Sequence, residues 1–103
     1  AIWIDHIQRH LEDLHVRSLE AYASAGLGLR GTELAAARDA SRLLVKMVPL
    51  RESGHRLLMR ALAAEGNTAE ALRVYENLTR MLRDELGVSP SDLTRATYDE
   101  LLT

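Results

Sequence analysis

His6 and His10 stand four residues apart, with His15 close behind. On a helix such a pair shares a face and could start a metal site. A site needs a third ligand on that face, and the glutamate of a His-Glu-x-x-His arrangement is missing. The pattern therefore reads as histidines on a solvated face, and no metal is expected. Arg38, Arg42 and Lys46 recur every four residues as a basic stripe. Such a stripe suits DNA phosphate or an acidic protein surface. It equally suits a solvated face whose last-turn cations complement the helix dipole, and that reading is preferred. Arg56 and Arg60 make a second pair one turn apart. Two guanidiniums beside a groove can clamp carboxylates of a partner peptide. Alternatively Arg56 pairs with Glu52 one turn earlier, worth only ~0.3–0.5 kcal/mol. Both readings stay open. Gly26-Leu27-Gly28-Leu29-Arg30-Gly31 has the letters of a dinucleotide loop, but no strand precedes it, so that reading fails. No Ser/His/Asp set, phosphate loop or paired-carboxylate pocket emerges. The chemistry is binding rather than catalysis, and no cofactor is expected.

The elements that position these residues follow from composition and spacing. The chain has 103 residues, a net charge of −2 and no cysteine. That is one domain with room for a core. Disulfides and thiolate metal sites are excluded, and a reducing compartment such as the cytoplasm is expected. No apolar run approaches ~18 residues, so no membrane span is expected. Balanced charge argues against gripping nucleic acid by bulk attraction. Lys46 is the one lysine among thirteen basic residues, which with the abundant Arg, Ala and Leu suggests a GC-rich genome.

Apolar spacing is helical throughout, and no period-2 run predicts a strand. Five helices are predicted, over about 1–25, 32–47, 51–64, 68–86 and 90–102. Ile4, Ile7, Leu11, Leu14, Ser18, Ala21 and Ala25 form the apolar stripe of the first, which Gly26-Leu27-Gly28 ends. Thr32 is the expected N-cap of the second, and Pro49 stops it. Gly66 ends the third and Gly87 the fourth. Ser89 as N-cap, with Pro90 behind it, opens the fifth. The chain begins Ala1-Ile2-Trp3-Ile4 without a capping signal, which reads as a piece excised from a longer protein. Ile2, Trp3 and Ile4 are assigned to contacts with the missing preceding domain. Packing on the second helix is the alternative.

Shifted by 35 residues the chain partly matches itself, with Gly31 on Gly66, Ala36 on Ala71, Arg38 on Arg73 and Leu43 on Leu78. A period near 34 built of helix–turn–helix units is the tetratricopeptide signature. Ala36 and Ala71 are the expected points of closest helix approach. His55, Leu58, Met59 and Leu62 take the first-helix places of the second unit, and Ala71 and Tyr75 the small-then-aromatic places. Arg83 replaces the usual proline.

Three stretches are more specific. They are Pro49-Leu50-Arg51-Glu52, Ala61-Leu62-Ala63-Ala64-Glu65-Gly66-Asn67 with Ala69-Glu70-Ala71-Leu72-Arg73-Val74-Tyr75, and Leu82-Arg83-Asp84-Glu85-Leu86-Gly87-Val88-Ser89-Pro90-Ser91. Together they resemble the bacterial transcriptional activator domain of actinomycete antibiotic-regulatory-type regulators, most densely from about Val48 to Leu102. The resemblance implies an all-α, tetratricopeptide-like stack of antiparallel hairpins. It implies a domain that follows a winged-helix DNA-binding domain, of which this chain shows no trace. It further implies an effector role, with RNA polymerase, the adjacent DNA-binding domain or a second protomer as partner. DNA would be met only through the absent winged helix. A peptide-binding scaffold or dimerisation module outside transcription is the alternative.

Overall fold

The computed structural model describes residues 2–29 and 31–103. The expectations that touch Ala1 and Arg30 lie outside the described residues. Five helices follow one another, α1 (Ile2–Leu27), α2 (Thr32–Met47), α3 (Glu52–Ala64), α4 (Thr68–Leu86) and α5 (Asp92–Leu102), with no strand among the described residues. The all-α stack expected from the spacing is the fold observed. No helix is long and apolar enough to cross a membrane.

Helix α3 is the hub and packs on all four others. α1 and α5 lie on either side of it, while α2 bridges α1 and α3, and α4 bridges α3 and α5. One apolar cluster joins Val16, Ala23, Ala40, Leu44 and Leu57 across α1, α2 and α3. A second joins Leu58, Met59, Leu62 and Ala71, with Val74, Tyr75, Tyr98 and Leu101 packed against it. Each fully buried leucine there contributes about 1.5–3 kcal/mol of transfer free energy. Tyr75 and Tyr98 stack with ring centroids 4.0 Å apart and close the seam between α4 and α5.

The helix ends show why the chain breaks where it does. Gly87 adopts the left-handed conformation, φ 67°. Its N–H bonds to the Arg83 carbonyl and that of Val88 to the Leu82 carbonyl. This double closure satisfies the last carbonyls of α4 and favours glycine. Other local expectations need correction. The N-cap of α5 is Ser91, not Ser89, and its hydroxyl accepts from the Thr94 N–H. Pro90 precedes the cap and is buried, so α5 starts two residues late. Gly31, not Thr32, caps α2; the Thr32 hydroxyl is turned to the Glu33 carboxylate. α1 runs through Gly26. A Cβ there would stand 2.8 Å from both the Ala37 Cβ and the Glu33 carbonyl oxygen, so Gly26 brings α1 close to α2 and does not end the helix.

That contact also moves the expected point of closest approach by one residue. Ala37 is fully buried and Ala36 only half-buried. Ala37 and Ala71, and likewise Leu44 and Leu78, are buried pairs 34 residues apart. The 35-residue match of letters thus differs by one from the repeat of packing.

The largest departure concerns α1. Its core-facing residues are Val16, Leu19, Ala23, Gly26 and Leu27. The stripe predicted to be its apolar face, from Ile4 to Ala25, is exposed at every position. Val16 is the first buried residue among the described residues, so the opening turns of α1 project beyond the stack.

Candidate protein-interaction surfaces

Three neighbourhoods bring functional side chains together. In the first, α3 grips α5 through polar groups. A Glu52 oxygen accepts from the Ser91 backbone N–H at 2.9 Å and from the Thr94 hydroxyl at 2.7 Å. Arg56 donates to that same hydroxyl at 3.0 Å, and Arg60 reaches the Thr97 hydroxyl at 3.4 Å. Thr94 and Thr97 are buried, and no buried side-chain polar atom among the described residues lacks a partner. Burial raises the Glu52 pKa, but the hydrogen bonds from Thr94 and Ser91 outweigh it and hold the carboxyl below its ordinary value. Arg56 and Arg60 therefore both point at α5. The α3 surface they were expected to offer to a partner carries this helix.

In the second, α1 is tied to the start of α3. Arg51 donates two hydrogen bonds to Glu20, at 2.8 and 3.1 Å, and Ser53 donates a third. Burial again raises the carboxyl pKa, and the bonds from Arg51 and Ser53 again win, so Glu20 stays below its ordinary value. Fork-shaped pairing of this kind fixes orientation as well as charge. His55, one turn on, is buried, with Nε2 2.7 Å from the Pro49 carbonyl. Burial pushes its pKa down, against the opposing pull of Pro49 and Glu52.

The third neighbourhood is the outer face of α2. Arg38 pairs with Glu65 at 2.9 Å, and Arg42 meets Glu70 at 3.5 Å. Lys46 is exposed. The predicted stripe is thus real as a row but is partly neutralised by acids from the next hairpin. Beside it, Leu43, Val45 and Leu58 floor an open groove that Asp39, Arg42 and Lys46 rim.

Ile2, Trp3 and Ile4 are all exposed, and none belongs to the buried cluster that joins α1 to α2. His6, His10 and His15 are exposed too, and no group of three or more metal-ligating residues converges among the described residues. The spacing of letters offered Glu52 only as a partner for Arg56 and did not reveal Glu20, Thr94 or Thr97; the long-range partners of these four are 31 to 42 residues away.

Comparison with known proteins adds a family to this geometry. A family model described as Bacterial transcriptional activator domain matches residues 2–102. The transcriptional regulator RedD of Streptomyces coelicolor is 40% identical over 91 residues, 88% of this chain and 25% of RedD. The regulatory protein AfsR of the same organism is 57% identical over 42 residues, 41% of this chain and 4% of AfsR. AfsR of Streptomyces griseus is 55% identical over a stretch of the same length. The chain therefore spans a quarter or less of these relatives. No solved structure matches it.

Proposed function

Because the chain belongs to the bacterial transcriptional activator domain family, we propose that it is the protein-interaction part of a transcriptional regulator and leaves DNA contact to another domain. The observation carrying this reading is the outer face of α2. Leu43 and Met47 are exposed beside Arg42 and Lys46, over the groove floored by Val45 and Leu58. An apolar floor whose rim mixes Arg42 and Lys46 with Asp39 fits a protein surface that is itself apolar and presents carboxylates to the two cations. DNA phosphate would want an unopposed basic row, and here Glu65 and Glu70 stand against Arg38 and Arg42. We assign RNA polymerase as the protein that meets this groove. In this reading Arg42 and Lys46 touch the partner, Arg38 stiffens the groove through Glu65, and Arg56 and Arg60 hold α5. No catalytic step is assigned to the domain, and no cofactor.

The test is direct binding of purified RNA polymerase holoenzyme to this chain, alongside Leu43→Asp and Lys46→Glu variants. Both substitutions are on exposed positions and should leave the fold intact while lowering polymerase affinity at least about tenfold, the equivalent of ~1.4 kcal/mol. Unchanged binding in both variants would remove the groove from the reading. A tight, sequence-specific gel shift by this chain alone would overturn the division of labour with DNA.

A further inference from the structure

The groove on the outer face of α2 has walls and a charge order that select one kind of occupant. We propose that it takes an amphipathic α-helix of a partner protein, lying antiparallel to α2, with carboxylates in its first half and a base in its second. The proposal rests on the reading that this groove is a protein contact and adds what the partner presents there.

The groove exists because α2 and α4 both pack on α3 but, among the described residues, not on each other. Leu58 of α3 is left on its floor beside Val45 of α2, and Val74 of α4 packs on the cluster to which Leu58 belongs. Leu43 stands 43% exposed on the α2 wall. The space measures about 440 Å³. Its charged groups sit on the rim, and Leu43, Val45 and Leu58 offer no hydrogen bond that would orient a small molecule. The walls are helix, α2 from Asp39 to Lys46 and α3 around Leu58. Main-chain groups there are bonded within their own helices, and no strand edge is offered. An extended peptide laid over the three apolar residues would bury amides without partners, at about 1–3 kcal/mol each. A helix arrives with its amides already bonded. It presents apolar side chains at three- and four-residue spacing, which is how a helix fills a groove.

The rim also sets a direction. Along α2 it runs Asp39, Arg42, Lys46, one acid followed by two bases. Asp39 accepts from Arg38 yet its side chain stays 68% exposed. Arg42 meets Glu70 at 3.5 Å with both side chains about half exposed, a pair of the kind that is readily exchanged for another carboxylate. Lys46 is exposed. A complementary occupant needs carboxylates toward Lys46 and Arg42 and a cation toward Asp39. Acids are favoured in the first turns of a helix and bases in the last. The acidic end of the occupant is therefore its N-terminus, and it lies beside the C-terminal end of α2. The two helix dipoles then oppose one another, so charge order and dipole favour the same placement.

The test titrates stapled peptides of equal composition into the isotope-labelled 103-residue chain. Two carry leucines at helical spacing. One has glutamates in its first half and a lysine in its second, and the other has the reverse order. A third replaces the staple of the first with central prolines and cannot form a helix. The first should shift the amides of Leu43, Val45, Lys46 and Leu58. It should bind at least about fivefold more tightly than the reversed peptide, the scale of a few exposed ion pairs changing sign. Asp39→Lys combined with Lys46→Glu reverses the rim at exposed positions, with circular dichroism to verify the fold, and should exchange the ranking of the two peptides. Equal affinities, a ranking that the double variant leaves unchanged, or equal binding of the proline peptide would each overturn the proposal. No shift at these amides at millimolar peptide would do the same. Shifts of these amides with chain concentration alone would overturn it in favour of a second copy. Polymerase binding that Leu43→Asp abolishes, without ranked peptide binding, would overturn the helix and keep the groove as the contact. Ranked peptide binding without polymerase binding would keep the helix and overturn the choice of polymerase.

Discussion

Helix α3 and the first four turns of α1 are both amphipathic, with apolar residues at helical spacing, yet they differ in what surrounds them. α3 touches all four other helices and buries seven of its thirteen residues. The opening of α1, from Ile2 to His15, buries none. Apolar spacing specifies that a helix has a face to cover and is silent about what covers it. In α3 the cover is the fold itself, and there the polar residues are recruited too, as Glu52, Arg56 and Arg60 hold α5 in place. In α1 the apolar stripe points away from the core and is left exposed.

The sharpest way to break this comparison is to remove equal side chains from the two regions. Leu62→Ala opens a cavity beside Met59 and Ala71, where nothing can collapse without moving α4. It should cost about 2–5 kcal/mol in urea unfolding. Leu11→Ala removes the same atoms from a 58% exposed site and should fall within about 0.5 kcal/mol of the parent. Comparable losses would mean that α1 is packed in solution.

Next in size is the polar grip of α3 on α5. Arg56→Ala or Glu52→Gln should each cost about 1–3 kcal/mol, the range for a hydrogen bond to a charged group with partial burial. Thr94→Val, which leaves Glu52 and Arg56 without their shared hydroxyl, should cost at least as much as either. The loss should appear first as faster hydrogen exchange in α5. If α4 and α5 loosen together instead, the stacked Tyr75 and Tyr98 outweigh the polar grip.

Sequence reasoning reached some of this and not the rest, for reasons that can be located. Helix ends at Pro49 and Gly87 are local physics, so they were legible. Ala35, Ala36 and Ala37 are adjacent and chemically identical, so only packing selects Ala37. Ser89 and Ser91 are both good caps, and the burial of Pro90 decides between them. On α1 two apolar stripes share one helix. The stripe with the larger side chains is also the more regular, and so looks like the core face. What rejects it is the small set Val16, Ala23 and Gly26, which fits closely against α2 and α3. Arg56 and Arg60 were recognisable as a pair. Their hydroxyl partners lie 38 and 37 residues away, beyond the reach of any local pattern.

His55 gives the hub a pH signature. Burial holds its folded-state pKa below the ordinary 6.5. Below that value the unfolded chain takes up a proton that the folded chain refuses, so stability falls as pH drops from 7.5 to 5.5. Glu20 and Glu52 contribute in a separate window. Their folded pKa values lie below the ordinary 4.5, so their stabilisation is present above it and is lost as pH falls through it toward the folded values. Urea midpoints at pH 7.5 and 5.5 should therefore differ in the parent and converge in His55→Gln, which keeps a donor for the Pro49 carbonyl. A slope that survives the substitution would assign it to other groups.

The smallest expected effect is also the one that best sharpens the contrast. Ile4→Lys and Ile7→Lys place charges on the projecting stripe and exchange one acceptable helix residue for another of at least equal propensity. In this chain neither residue has core contacts to lose, so urea midpoints should match the parent within about 0.5 kcal/mol. Solubility at high concentration should rise as the exposed patch shrinks. Stability of this chain therefore supplies no reason for isoleucine at these two positions. A midpoint lowered by more than ~1 kcal/mol in either variant would show instead that the stripe is covered within the chain itself, and the division between hub and overhang would fail.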